Sequence, residues 1–183
     1  MMRPFAPLTQ RSSTGGGAKR IFPIGLAMAA FDYRQAQEIR DAFKTHQVKY
    51  LFIGKSGAIL LGFPDTTQDA DLFVEKSQSN CERVVPALHD LGFQVTEQQA
   101  EEIRRGKDFV QLKNGPFDLD LVFAPDGIEK FEDAWKRHVE VEGFPVCDID
   151  DIVLSKQATN RQKDRESLPR LLSFRDWLKK QKS

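Results

Sequence analysis

Two short runs decide most of what this chain can fold into: Asp69-Ala70-Asp71-Leu72-Phe73-Val74 and Phe117-Asp118-Leu119-Asp120-Leu121-Val122-Phe123. Each sets two aspartates at i and i+2 inside an otherwise apolar stretch. Side chains alternate between faces along a strand, so both carboxylates of a pair share one face and the alternate residues supply a buried one. Asp is disfavoured in strands, and like charges this close repel, so its repeated use there asks for a cation between the carboxylates. Hard oxygen donors of this kind suit Mg²⁺ or Mn²⁺, which complete their shells with water and phosphate oxygens. The sequence therefore predicts a metal site at Asp69 and Asp71, with a third carboxylate from the second run. A single such pair reads equally well as the solvated face of an edge strand; two are harder to explain that way.

The length of 183 residues, 40% hydrophobic and 30% charged, fits one globular domain with a well-buried core. Acidic and basic residues balance at 27 each, so there is no whole-chain bias toward nucleic acid or membrane. No apolar run is long enough to cross a membrane. Cys81 and Cys147 have neither disulfide-framework nor metal-ligand spacing, which fits a reducing cytoplasm, and His46, His89 and His138 are scattered. Residues 1–30 read as a flexible leader around Ser12-Ser13-Thr14-Gly15-Gly16-Gly17. Two other readings are a signal peptide ending near Ala27-Met28-Ala29 and translation starting at Met28. Residues 31–147 read as the core and 148–183 as basic helices packing on it. From Ser155 to Ser183 nine basic residues face three acidic ones.

Periodicity predicts a helix over Tyr33–Thr45, a buried strand over Val48–Ile53, and a turn at Gly54 opening a short apolar helix. A strand is expected at Asp69–Val74, a helix at Glu82–Leu91 stopped by Gly92, and a short strand at Phe93–Thr96. Glu97–Lys107 reads as a connector or an exposed helix. Phe109–Lys113 and Phe117–Phe123 read as antiparallel strands around Asn114-Gly115-Pro116. A helix over Ile128–Trp135, two β-prone segments around Gly143, a helix over Asp148–Thr159 and a final amphipathic helix complete the chain.

Gly54-Lys55-Ser56 resembles the close of a phosphate-binding Walker A loop, but that motif needs a glycine at position 49, which is Lys49. What remains is a strand ending in a glycine turn that opens a helix, which presents backbone N–H groups to an anion. Gly54, Lys55 and Ser56 are thus candidate nucleotide-binding residues.

Ile53-Gly54-Lys55, thirteen residues, Asp69-Ala70-Asp71-Leu72, and then Asp118-Leu119-Asp120 together resemble the polymerase-beta-type nucleotidyltransferase superfamily. Within it the likeness is to small bacterial nucleotidyltransferase-like proteins and AbiEii-type toxins. It is supported by Lys156, Arg161, Lys163 and Asp164, which follow a K-x4-R-x-K-D pattern. The resemblance spans roughly Tyr50 to Trp177. It implies an α/β (α+β) fold, a small mixed sheet backed by helices with a C-terminal helical segment. It implies transfer of a nucleoside monophosphate from an NTP to an acceptor hydroxyl on a tRNA, a protein or a small molecule. Asp69 and Asp71 would hold Mg²⁺ on the triphosphate. Asp120, with Asp118 as the alternative, would be the third carboxylate and would help deprotonate the acceptor. Lys156, Arg161 and Lys163 would offset phosphate charge. An antitoxin or a second copy of the chain would be the partner. One departure stands out: the family usually has Gly or Ser where this chain has Lys55. The competing expectation is a catalytically silent nucleotide-binding or protein-interaction module of the same fold.

Overall fold

The structure, a computed structural model, describes residues 30–182. The expected leader and its alternatives lie outside the described residues, apart from Ala30. Six strands form one mixed sheet: β1 (Tyr50–Phe52), β2 (Asp69–Val74), β3 (Phe109–Leu112), β4 (Asp118–Val122), β5 (Val139–Val141) and β6 (Phe144–Val146). Their spatial order is β3-β4-β2-β1-β6-β5. β2 runs parallel to β4 and β1 parallel to β6, while the other neighbours are antiparallel. The mixed sheet with helices agrees with the fold class expected from sequence.

Alternation does what the two Asp runs require. Ala70, Leu72 and Val74 of β2, Leu119 and Leu121 of β4, and Val110 and Leu112 of β3 are all buried and belong to one continuous core. Among the described residues there are seven helices: α1 (Tyr33–Thr45), α2 (Gly54–Leu60), α3 (Gln78–Asp90), α4 (Glu97–Arg104), α5 (Phe131–Arg137), α6 (Ile149–Thr159) and α7 (Gln162–Gln181). α2 packs on β1, β2 and β6, α6 packs on α2, and α7 packs on α6. Phe174 of α7 reaches the Phe63 ring with centroids 5.4 Å apart. No helix of the described residues is long and apolar enough to cross a membrane.

Local chemistry sets the boundaries. Asp32 accepts the Gln35 N–H and the Gln35 side chain accepts the Asp32 N–H, a capping box that starts α1. Thr96 and Gln99 form the same box, so the stretch left open between connector and helix begins as α4. Ser77 caps α3, which therefore starts four residues before the expected Glu82. α5 starts three residues after the expected Ile128. The β5–β6 hairpin turns through Glu142 and Gly143, both at positive φ as a tight two-residue turn requires.

The strand expected at Phe93–Thr96 is absent. Phe93 is buried edge-on to Phe117, with centroids 5.2 Å apart. It presses on Gly115, where an added Cβ would come within 2.2 Å of the ring. Packing against the β3–β4 turn takes this segment, and the alternation of Phe93 and Val95 is not used for a ladder.

Candidate active site

β2 and β4 are both interior strands, and their parallel register places Asp69 beside Asp118 and Asp71 beside Asp120. The four carboxylates therefore form a two-by-two block on one face. Asp71 is the most confined, and its pKa is pushed up to about 7, first by burial and then by the charges of Asp120 and Asp69. Lys156 and the Ser56 backbone N–H act in the opposite direction. Burial also raises Asp120, against a hydrogen bond in which Gln111 Nε2 donates to its Oδ1 at 3.0 Å. Asp118 is raised by burial and then by Asp69. Its Oδ1 is buried with no hydrogen-bond partner among the described residues.

Gly54 sits directly against this block. Its φ is +61°, and a Cβ there would lie 2.6 Å from Asp71 Oδ2. Only glycine satisfies both the left-handed backbone and the close approach. The first turn of α2, whose N–H groups lack intrahelical acceptors, thus faces the Asp71 carboxylate.

Ser56 corrects an expectation. It is fully buried. Its hydroxyl donates to the Ile53 carbonyl at 3.1 Å and accepts the Asp71 N–H at 2.9 Å. The side chain ties α2 to β2 and is not free to contact a nucleotide.

The cationic side comes from α6 and α7. Lys156 Nζ lies 2.9 Å from Asp164 Oδ1, and both side chains are largely buried. Arg161, just before α7, and Lys163 in its first turn have no ion-pair partner for their side chains among the described residues. The wider basic segment is less free than its composition suggests, since Arg170 pairs with Asp65 and both Arg175 and Lys179 reach Asp150.

These two sides enclose a cavity of about 220 Å³. Gly54, Lys55, Asp69, Asp71, Asp120, Lys156, Arg161 and Lys163 all line it, whereas Ser56 and Asp118 do not. Thr67, Ser155, Thr159 and Ser167 add hydroxyls, and Asp164 adds a carboxylate. Sequence reasoning missed these five. Asp164 was visible in the K-x4-R-x-K-D segment, but the hydroxyls follow no pattern. A larger hollow of about 730 Å³ lies between α1, the end of α3 and the β3–β4 turn. It holds none of the paired sheet carboxylates and no cation, so the smaller cavity is the chemically equipped one.

The donor set in that cavity fits a hard divalent ion: oxygen only, with Asp71 held at a raised pKa by two neighbouring carboxylates, a repulsion that a cation would relieve. As they stand, no three His, Cys, Asp or Glu side chains of the described residues converge closely enough to hold an ion. One or two of these carboxylates with water and phosphate oxygens suffice for such an ion.

No protein-family model matches the chain. No curated protein matches it in sequence. Solved structures resemble its fold, two of them over most of this chain. One is the lincosamide antibiotic adenylyltransferase LnuA with lincomycin bound, at 16% identity and a TM-score of 0.56, covering 79% of this chain and 99% of that one. The other is a provisionally assigned nucleotidyltransferase from Thermotoga maritima, at 16% identity and a TM-score of 0.50, covering 78% of this chain and 92% of that one. The chain has the nucleotidyltransferase fold. Neither neighbour is described as a toxin.

Proposed function

We propose that the protein is a metal-dependent nucleotidyltransferase that moves a nucleoside monophosphate from an NTP to an acceptor hydroxyl. The observation that carries this reading is the single cavity in which Asp69, Asp71 and Asp120 face Lys156, Arg161 and Lys163. Carboxylates opposite cations suit a polyanionic substrate that arrives with its own metal. Asp69, Asp71 and Asp120 would hold Mg²⁺ or Mn²⁺. Bound there, a divalent ion supplies charge neutralisation on the triphosphate and its leaving group.

The acceptor oxygen bonds to the α-phosphorus, the bond to the bridging oxygen breaks and pyrophosphate departs. Asp120 would take the acceptor proton, and the hydrogen bond from Gln111 to its Oδ1 supports this by fixing the carboxylate. Arg161 and Lys163 face the developing charge on the phosphate oxygens. Lys156 is already neutralised by Asp164, so its role is to hold the electrostatic balance beside Asp71. Gly54 lets backbone N–H groups approach the phosphates closely.

A lincosamide is the acceptor named for one structural neighbour. It brings a small hydroxylated molecule into consideration here alongside tRNA and protein hydroxyls. The toxin reading predicts growth arrest on expression that Asp69→Ala or Asp71→Ala relieves; equal arrest by those variants would exclude it. The silent-module alternative is favoured by Lys55, a bulky residue in the turn where backbone would approach phosphate.

Calorimetric titration with each NTP, with and without Mg²⁺, tests the nucleotide site, and pyrophosphate release in the presence of candidate acceptors separates transfer from silent binding. Metal-dependent binding that disappears in the Asp69→Ala/Asp71→Ala double variant is expected. A folded protein that binds no NTP would sink the transferase reading.

A further inference from the structure

Lys55 stands in the glycine turn where Gly or Ser is usual in the family it resembles, and its side chain has a definite destination. The ammonium lies 3.7 Å from Asp65 Oδ2. Arg170 Nη1 meets the same oxygen at 3.4 Å, and the Thr66 backbone N–H donates to Oδ1 at 2.8 Å. Arg170 is fixed independently. Its Nη2 donates to the Pro64 carbonyl at 2.9 Å, and its guanidinium lies over the Phe63 ring, 5.4 Å from the centroid. Asp65 therefore keeps a cation and a backbone donor even if Lys55 leaves.

Lys55 is placed differently. It pairs with no carboxylate but Asp65 among the described residues, and it lines the same cavity as Asp69, Asp71 and Asp120. An ammonium on a flexible four-carbon stem is free to turn between two anions on either side of it. A pair of this length and exposure holds it only weakly.

We propose that Asp65 is a resting-state partner that holds the Lys55 ammonium at the cavity rim in competition with phosphate and yields it to the triphosphate when nucleotide enters. This inference rests on the nucleotidyl-transfer reading and specifies how that site accepts its substrate. The exchange is one-sided. Arg170 and the Thr66 N–H hold the charge of Asp65 in place, so Lys55 crosses to the phosphates without leaving an unpaired carboxylate behind. The large residue in the turn then acts as a phosphate ligand and does not obstruct the turn.

The test is a thermodynamic cycle in the full-length protein. Each of the four NTPs is titrated with Mg²⁺, and the tightest binder is carried through wild type, Asp65→Asn, Lys55→Met and the double variant. Asp65→Asn is expected to tighten binding about two- to fivefold by removing the competitor. Lys55→Met should weaken it about tenfold. In the Lys55→Met background, Asp65→Asn should change nothing. Arg170→Ala, which leaves Asp65 to Lys55 alone, should weaken binding in the Lys55 background only. The proposal is overturned if Asp65→Asn leaves affinity unchanged or lowers it, or shifts it by the same factor in both backgrounds. Those results leave the transferase reading standing. A wild-type protein that binds no NTP removes both.

Discussion

The two sides of the cavity are built by opposite means. The acidic side belongs to β2 and β4, interior strands whose register fixes four carboxylates on one face. The cationic side belongs to the α6–α7 junction, where Arg161 and Lys163 extend from a helix start on long exposed stems. Strand pairing gives position without adjustment, and helix ends give reach without position. A site that must hold metal and also follow a phosphate through a reaction needs both. The contrast also predicts where substitutions act: on the acidic side they alter charge at fixed geometry, and on the cationic side they alter affinity with little effect on the fold.

The largest expected effect separates stability from function at Asp71. Its pKa is raised on folding, so the unfolded chain releases this proton at ordinary carboxylate pH and the folded protein holds it to about 7. Without metal, stability from this group is therefore present at acid pH and is lost as pH rises through that window, by on the order of 4 kcal/mol. Asp71→Asn should flatten most of this slope in urea melts at pH 5 and pH 8 with chelator. It should also lose Mg²⁺-dependent NTP binding by about a hundredfold or more. An unchanged slope would show that the carboxylate block is not confined as described.

A middle-sized effect probes the one cation that behaves like the acidic side. Lys156→Met leaves Asp164 buried and unpaired, at a cost of about 3 kcal/mol. Lys156→Met/Asp164→Asn should recover most of that loss, as thermal melts of the singles and the double would reveal. Additive losses would mean that the pair is not coupled.

The smallest effects on the fold are expected at Arg161 and Lys163. Alanine at either should change stability by less than about 0.5 kcal/mol. Each should weaken NTP binding about three- to tenfold, with a shallower salt dependence. Large stability losses there would erase the distinction between the two sides.

Much of this arrangement was legible in sequence because it follows local rules. The i, i+2 spacing put Asp69 with Asp71 and Asp118 with Asp120, and the glycine turn at Gly54 was visible in its own residues. What joins the two pairs is a register between strands more than forty residues apart in sequence, and no local pattern encodes it. Ser56 was misread because Gly-Lys-Ser carries a strong association with phosphate, while burial assigns its hydroxyl to the Asp71 backbone. Thr67, Ser155, Thr159 and Ser167 were invisible because a hydroxyl on a helix or loop carries no periodic signal. Phe93–Thr96 had strand chemistry, yet the ring of Phe93 found a better partner in Phe117 across a glycine.

The placement of β2 also has a consequence for how the molecule breathes. With β4 alongside Asp69–Phe73 and β1 alongside Leu72–Val74, the second half of β2 is held on both edges, so exposing it means dismantling the sheet. The amides of Leu72–Val74, just past the two acids, are thus expected to exchange hydrogen only on global unfolding, whereas the exposed start of α7 is expected to open first. Warming the protein short of its melt would loosen its hold on phosphate while leaving the acids in register, and cooling would restore the site without refolding.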